Sequence, residues 1–193
     1  MRNVLSVIAF ITPLNSVTYS ATNPIKIDDI DVLESQIRMI NVDSIRSKKP
    51  RISITDYLKI DKKLKDYEVK NLTALISLYP IWEYLERVYH IPKYISISFW
   101  IEETGWGKSR LFKKNNLGGI RRNATSFAEY KTLLDGVKAW GRVLSLDRYI
   151  NKVNKPDNYL NWLKAYDKGG YWGNEDGIPN RKYHIDKLNL TEL

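Results

Sequence analysis

The 193-residue sequence contains no cysteine. Disulfides, thiolate metal sites and a cysteine nucleophile are therefore excluded. Histidine is almost as scarce, with only His90 and His184 present. That is a poor basis for an imidazole metal site or a serine–histidine triad. Acidic residues are few beside basic ones, 22 against 31, leaving a net charge of +9 and a pI near 9.5. Such a chain is drawn to polyanions: nucleic acid, an anionic membrane surface or an anionic wall polymer. No run is long enough to span a membrane, for the apolar segment 4–14 covers only 11 positions and contains Pro13, where a span needs roughly 20 residues. Internal repeats and low-complexity tracts are also missing.

What the N-terminus does have is a short basic start at Met1-Arg2-Asn3, that apolar segment, and small residues from Ser16 to Ala21. This is the layout of a secretory signal peptide spanning 1–21, with cleavage after Ser20 or Ala21; the alternative is a buried N-terminal helix or strand. No cysteine follows it, so lipid attachment there is excluded. An exported basic protein meets cell wall before it meets nucleic acid. Residues 22–51 read as a polar segment with a short helix over 30–40 and a basic linker, "RSKKPR", at 46–51. The main domain is expected over 52–193, and a hydrophobic content of 43% suffices for a core.

Helical signals dominate from Asp66 onward. Leu75, Leu78, Ile81, Tyr84, Leu85 and Val88 recur at three- and four-residue steps, with Pro80 opening a new helix. A second stripe runs through Leu133, Leu134, Val137, Trp140 and Leu144. Asp157 is the expected N-cap of a third helix carrying Tyr159, Trp162, Leu163 and Tyr166, ended by Gly169-Gly170. Between them, 117–121 and 126–130 read as a small hairpin turning at 122–125. The stretch "YISISFWI" at 94–101 has the alternation of a strand, yet Pro92 and the spacing of Ser96, Trp100 and Glu103 fit a helix. Pattern alone leaves both open.

Glu102 and Glu103 follow that apolar stretch and precede Thr-Gly-Trp-Gly. Hydrolysis of a glycosidic bond needs a carboxylic acid that keeps its proton near neutral pH, and an apolar wall raises a carboxyl pKa by desolvation. Glu103, flanked by Phe99, Trp100, Ile101 and Trp106, fits that need; two solvated glutamates at a helix end are the plainer alternative.

The residues around it tip the balance. Glu103-Thr104-Gly105-Trp106-Gly107-Lys108-Ser109 and Asn116-Leu117-Gly118-Gly119-Ile120-Arg121 resemble the signature of the glucosaminidases of glycoside hydrolase family 73, the flagellar-rod and autolysin type. Phe127 and Tyr130, the helix over 133–147, Arg148-Tyr149 and Gly170-Tyr171 come in that family's order, so the likeness covers about 75–190. It implies a mainly helical, lysozyme-like domain with a small β-hairpin lobe flanking the cleft, and a helix over 94–101. It also implies that Glu103 is the general acid and that Glu102, where relatives often keep an apolar residue, is a neighbour pointing elsewhere. Asp135 best matches a second catalytic carboxylate, with Glu129 as the alternate and a first-turn helix residue as the structural alternative. Trp106, Asn116, Tyr130 and Tyr171 are the expected substrate contacts. Trp172 adds a flat surface for stacking a sugar. Phe99 stands where relatives often keep Gln, and Gly118 where they keep Phe. Asn174, Glu175 and Asp176 lack the series of a calcium loop, so no metal and no cofactor are expected.

The expected function is hydrolysis of peptidoglycan glycan strands after N-acetylglucosamine, with no nucleic-acid partner and no membrane insertion. Alternatives on the same fold are a lytic transglycosylase and a non-catalytic wall-binding protein.

Overall fold

The computed structural model describes residues 27–45, 66–173 and 175–193. The expected signal peptide and the expected domain start at Ile52 lie outside these residues. Among the described residues the protein is built of α-helices: α1 Ile27–Arg38, α2 Asp66–Ser77, α3 Tyr79–Tyr89, α4 Lys93–Thr104, α5 Leu133–Leu144, α6 Asp147–Ile150, α7 Tyr159–Lys168 and α8 Gly177–Lys187. None of these is long and apolar enough to cross a membrane.

α4 is the axle. It packs on α3, α7 and α8, and Ile95, Ile97, Phe99, Trp100 and Ile101 are all buried. Each such side chain contributes roughly 1.5–3 kcal/mol on leaving water. Ser96 and Ser98 are buried as well, with their hydroxyls donating to the carbonyls of Lys93 (3.0 Å) and Ile95 (2.9 Å). Every face of the helix is thus covered, which is why its sequence carries no clear helical stripe. The segment 94–101 is a helix, as the family likeness implied.

The break between α2 and α3 falls where Pro80 requires it, in the first turn of α3. α1 realises the helix expected over 30–40 and lies against α3 and α5. Ile37 and Ile45 are buried, and Glu34 accepts from Lys138 Nζ at 2.8 Å and from the Tyr84 hydroxyl at 3.1 Å. Residues 27–45 are accordingly part of the folded body. α7 begins one residue later than expected: Asn158, not Asp157, is its N-cap. The Asn158 backbone is extended there, and its side chain accepts from Leu160 N at 2.9 Å.

The small β-hairpin lobe is not seen. The segment 117–130 is a loop with one isolated antiparallel bridge, Arg121 to Phe127, and no strand occurs among the described residues. The cause is side-chain competition for the backbone partners of a ladder. Asn116 is fully buried; its Nδ2 donates to Ile120 O and Ala128 O, both at 2.9 Å, and its Oδ1 accepts from Ile120 N. At the tip, Asn123 Oδ1 collects the amides of Thr125 and Ser126. The backbone bonds left across the turn are Ala128 N to Ile120 O, and Arg122 N and Asn123 N to Ser126 O.

α4 ends in three consecutive left-handed residues, Gly105 (φ 54°), Trp106 (64°) and Gly107 (71°). Glycine takes that conformation freely, whereas Trp106 is strained in it. Thr104 secures the turn, donating its hydroxyl to Trp100 O (2.6 Å) and accepting from Gly107 N (2.8 Å).

Candidate active site

The last turn of α4 presents Glu102 and Glu103 at a helix C-terminus, where the dipole disfavours negative charge. α8 supplies the compensation. Arg181 Nη2 donates to Glu103 Oε1 at 3.1 Å. One turn further on, His184 Nε2 lies 2.7 Å from Glu102 Oε1, and Asn180 Nδ2 donates to Glu102 Oε2 at 3.3 Å. Each carboxylate has its own partners.

Those partners separate the two groups chemically. Burial pushes the Glu103 carboxyl above its ordinary range; Arg181 opposes that push and the Glu102 charge adds to it. Glu102 is held below its ordinary range, chiefly by the bond from His184. Two adjacent carboxyls driven in opposite directions are suited to separate tasks, one keeping a proton and one keeping a charge. Glu102 is thus a charged neighbour with partners of its own, not an idle one.

Arg181 is only 5% exposed. Its guanidinium lies against the rings of Phe99, 4.8 Å away, and Trp172, 4.4 Å away, and Nη1 donates to Gly177 O at 3.1 Å. Position 99 therefore carries a ring because a buried cation rests on it.

Opposite Glu103 the loop comes close through Gly119, where a Cβ would lie 3.0 Å from Glu103 Oε2 and φ is +60°. Only glycine fits both conditions. Tyr171 closes the third side. It packs on Phe99, Tyr149, Tyr166 and Trp172, and its hydroxyl accepts from Trp140 Nε1 at 3.2 Å. Burial, with the Glu103 charge behind it, raises its phenol well above the ordinary value, so it stays protonated.

The other expected residues sort by place. Trp172 is half-buried and donates Nε1 to Asp167 Oδ1 at 2.8 Å, with Arg181 against its ring. Trp106 is half-buried too, edge-on to Trp100 and to His184 (5.9 Å). Asn116, wholly enclosed, braces the loop that carries Gly119. Tyr130 is half-buried, and its carbonyl and amide are tied to Asn115 Nδ2 and Lys114 O. Asp135 is exposed and forms the capping box of α5: its Oδ2 accepts from the Thr132 hydroxyl at 2.7 Å and from Thr132 N, while Asp135 N donates back. Glu129 is exposed and paired with Lys114. The structure brings Glu103, Tyr171 and Trp172 together around Arg181. Asp135 and Glu129 make their contacts elsewhere.

Sequence reasoning missed Arg181, Asn180 and the pairing role of His184. Their one available signal was the spacing in "NRKYH" (180–184), which puts Arg181 and His184 on one helical face opposite a chain with two adjacent glutamates to satisfy. Among the described residues no group of three His, Asp or Glu side chains converges as a metal site would require. An open depression lined by Arg142, Ser145, Leu146, Asp147 and Arg148 includes none of the residues above.

No curated protein and no solved structure matches the chain. A family model does match: that of the glucosaminidases, described as mannosyl-glycoprotein endo-beta-N-acetylglucosaminidase, aligns with residues 79–189. That region takes in α3 to α8, with both glutamates and Arg181, and is more than half of the chain; the protein belongs to this glucosaminidase family of glycoside hydrolases.

Proposed function

We propose that the protein is an exported peptidoglycan hydrolase that cleaves the β-1,4 bond following N-acetylglucosamine, with Glu103 as general acid. The observation that carries this reading is the Glu103 carboxyl itself, about one quarter exposed and biased by burial toward its protonated form. It delivers that proton to the leaving glycosidic oxygen as the bond breaks. The positive charge that develops at the anomeric carbon is stabilised by the substrate's own N-acetyl group, and water then completes hydrolysis. Support for this route over one using Asp135 is that the Asp135 carboxylate is engaged as a helix cap. Tyr171 and Trp172 flank the acid and offer ring surface to a sugar, and Trp106 lies beside its helix end. The net charge of +9 favours residence on an anionic wall. The basic, apolar, small-residue order of 1–21 supports export.

Digestion of purified peptidoglycan tests the reading. The wild-type protein is expected to release reducing N-acetylglucosamine ends, and Glu103→Gln to do so about 10²–10⁴-fold more slowly. Anhydro-muramic ends would instead identify a lytic transglycosylase. Protein that pellets with the wall but releases nothing would be a binding module.

A further inference from the structure

Consecutive helical positions point about 100° apart, and the two carboxylates at the end of α4 take their direct bonds from different residues. α8 answers with two groups on one face, Arg181 for Glu103 and His184 for Glu102. Arg181 has little freedom: Phe99 and Trp172 both lie against its guanidinium, Gly177 O holds Nη1, and its buried Nε finds no acceptor among the described residues. A charge fixed in so dry a place acts strongly on the one carboxylate it touches.

We propose that Arg181 and the Glu102–His184 pair are positioning residues for Glu103. In this arrangement α8 aims the acid's carboxyl through Arg181, and the adjacent charge on Glu102, pinned by His184, sets the field in which Glu103 holds its proton. The proposal rests on Glu103 being the general acid. The groups facing Glu103 are few: Arg181 from α8, Glu102 from α4 itself, and the neutral phenol of Tyr171 from the loop before α8. Gly119 brings backbone and no charge, and His184 acts through Glu102. Arg181 favours the carboxylate of Glu103, and Glu102 favours its protonated form. Removing either must therefore move the acid in opposite directions, which loss of packing alone would not do.

The test is the pH profile of kcat/KM on peptidoglycan for the full chain, read at the alkaline limb, where the acid loses its proton. Glu102→Gln removes a repelling charge and is expected to move that limb to lower pH. Arg181→Met keeps an apolar side chain against Phe99 and Trp172 and is expected to move it to higher pH. Each shift should be on the order of one unit. Arg181→Lys keeps the charge without the planar fork, so the limb should stay near wild type while kcat falls. A carboxyl ¹³C NMR titration of Glu103 in the same variants reads the shifts without turnover, and circular dichroism confirms folding. If Arg181→Met does not fold, Glu102→Gln and Arg181→Lys carry the test. Limbs and titrations that stay in place, or move together, overturn the proposal while an inactive Glu103→Gln leaves the hydrolase reading intact. A fully active Glu103→Gln removes both.

Discussion

Gly118 lies flat against the indole of Trp140: a Cβ at position 118 would come within 2.2 Å of two ring atoms. Trp140 is fully buried on α5 and donates its N–H to Tyr171. The space beside position 118 is thus filled by an indole from the helix. Gly118→Ala is expected to cost about 1–3 kcal/mol, because a buried indole cannot step aside. Urea denaturation reads that loss. Combining it with Trp140→Leu should recover part of it, with a coupling of at least ~0.5 kcal/mol.

Asp135 gives a second expectation. Its carboxylate bonds to Thr132 in the capping box of α5. Asp135→Ala should therefore lower stability by about 0.5–1 kcal/mol and leave turnover on peptidoglycan within a few-fold of wild type. A drop of 100-fold or more in a folded variant would return Asp135 to the reaction.

Removal of the Asn116 amide should do more damage than its size suggests. Asn116→Ala abandons three hydrogen bonds inside the loop and strands backbone groups, at roughly 2–3 kcal/mol. Because this loop sets Gly119 against Glu103, activity should fall as well. Thermal melting and hydrolysis rate, measured on the same preparation, check both.

Charge gives a fourth prediction. Residues 105–131 carry Lys108, Arg110, Lys113, Lys114, Arg121, Arg122 and Lys131 against the single acid Glu129. This basic stretch adjoins Glu103 through Gly119. Reversing Arg121 and Arg122 to Glu, both exposed at the loop tip, should make the protein leave sedimented wall at lower salt. At about 0.15 M ionic strength the bound fraction should fall several-fold, since exposed charges act over a short screening length. Equal salt curves for variant and wild type would contradict this.

Much of the framework was legible in the sequence. Pro80, the stripe from Leu133 to Leu144 and Gly169 all mark helix limits or faces where they were expected. α4 was not legible by periodicity, because a helix buried on every side has no polar face to set its phase. The hairpin expected over 117–130 is a loop because Asn116 and Asn123 decide where its backbone groups bond. Half of the candidate site was hidden for another reason. Glu103 sits in a local motif, but Arg181 reaches it from 78 positions away. Contacts of that range leave no periodic trace.

The left-handed turn at 105–107 bears on how such a protein can change. Its bonds are all short-range: Lys108 N and Ser109 N both return to Thr104 O, and Gly107 N to the Thr104 hydroxyl. The backbone at the end of α4 is therefore a joint closed by bonds within 104–109. Sequence beyond that point can change without unwinding the helix end, but the Glu103 carboxyl keeps its aim only where Arg181 and Gly119 are kept. The helix end is fixed locally, and the acid it carries is fixed from a distance.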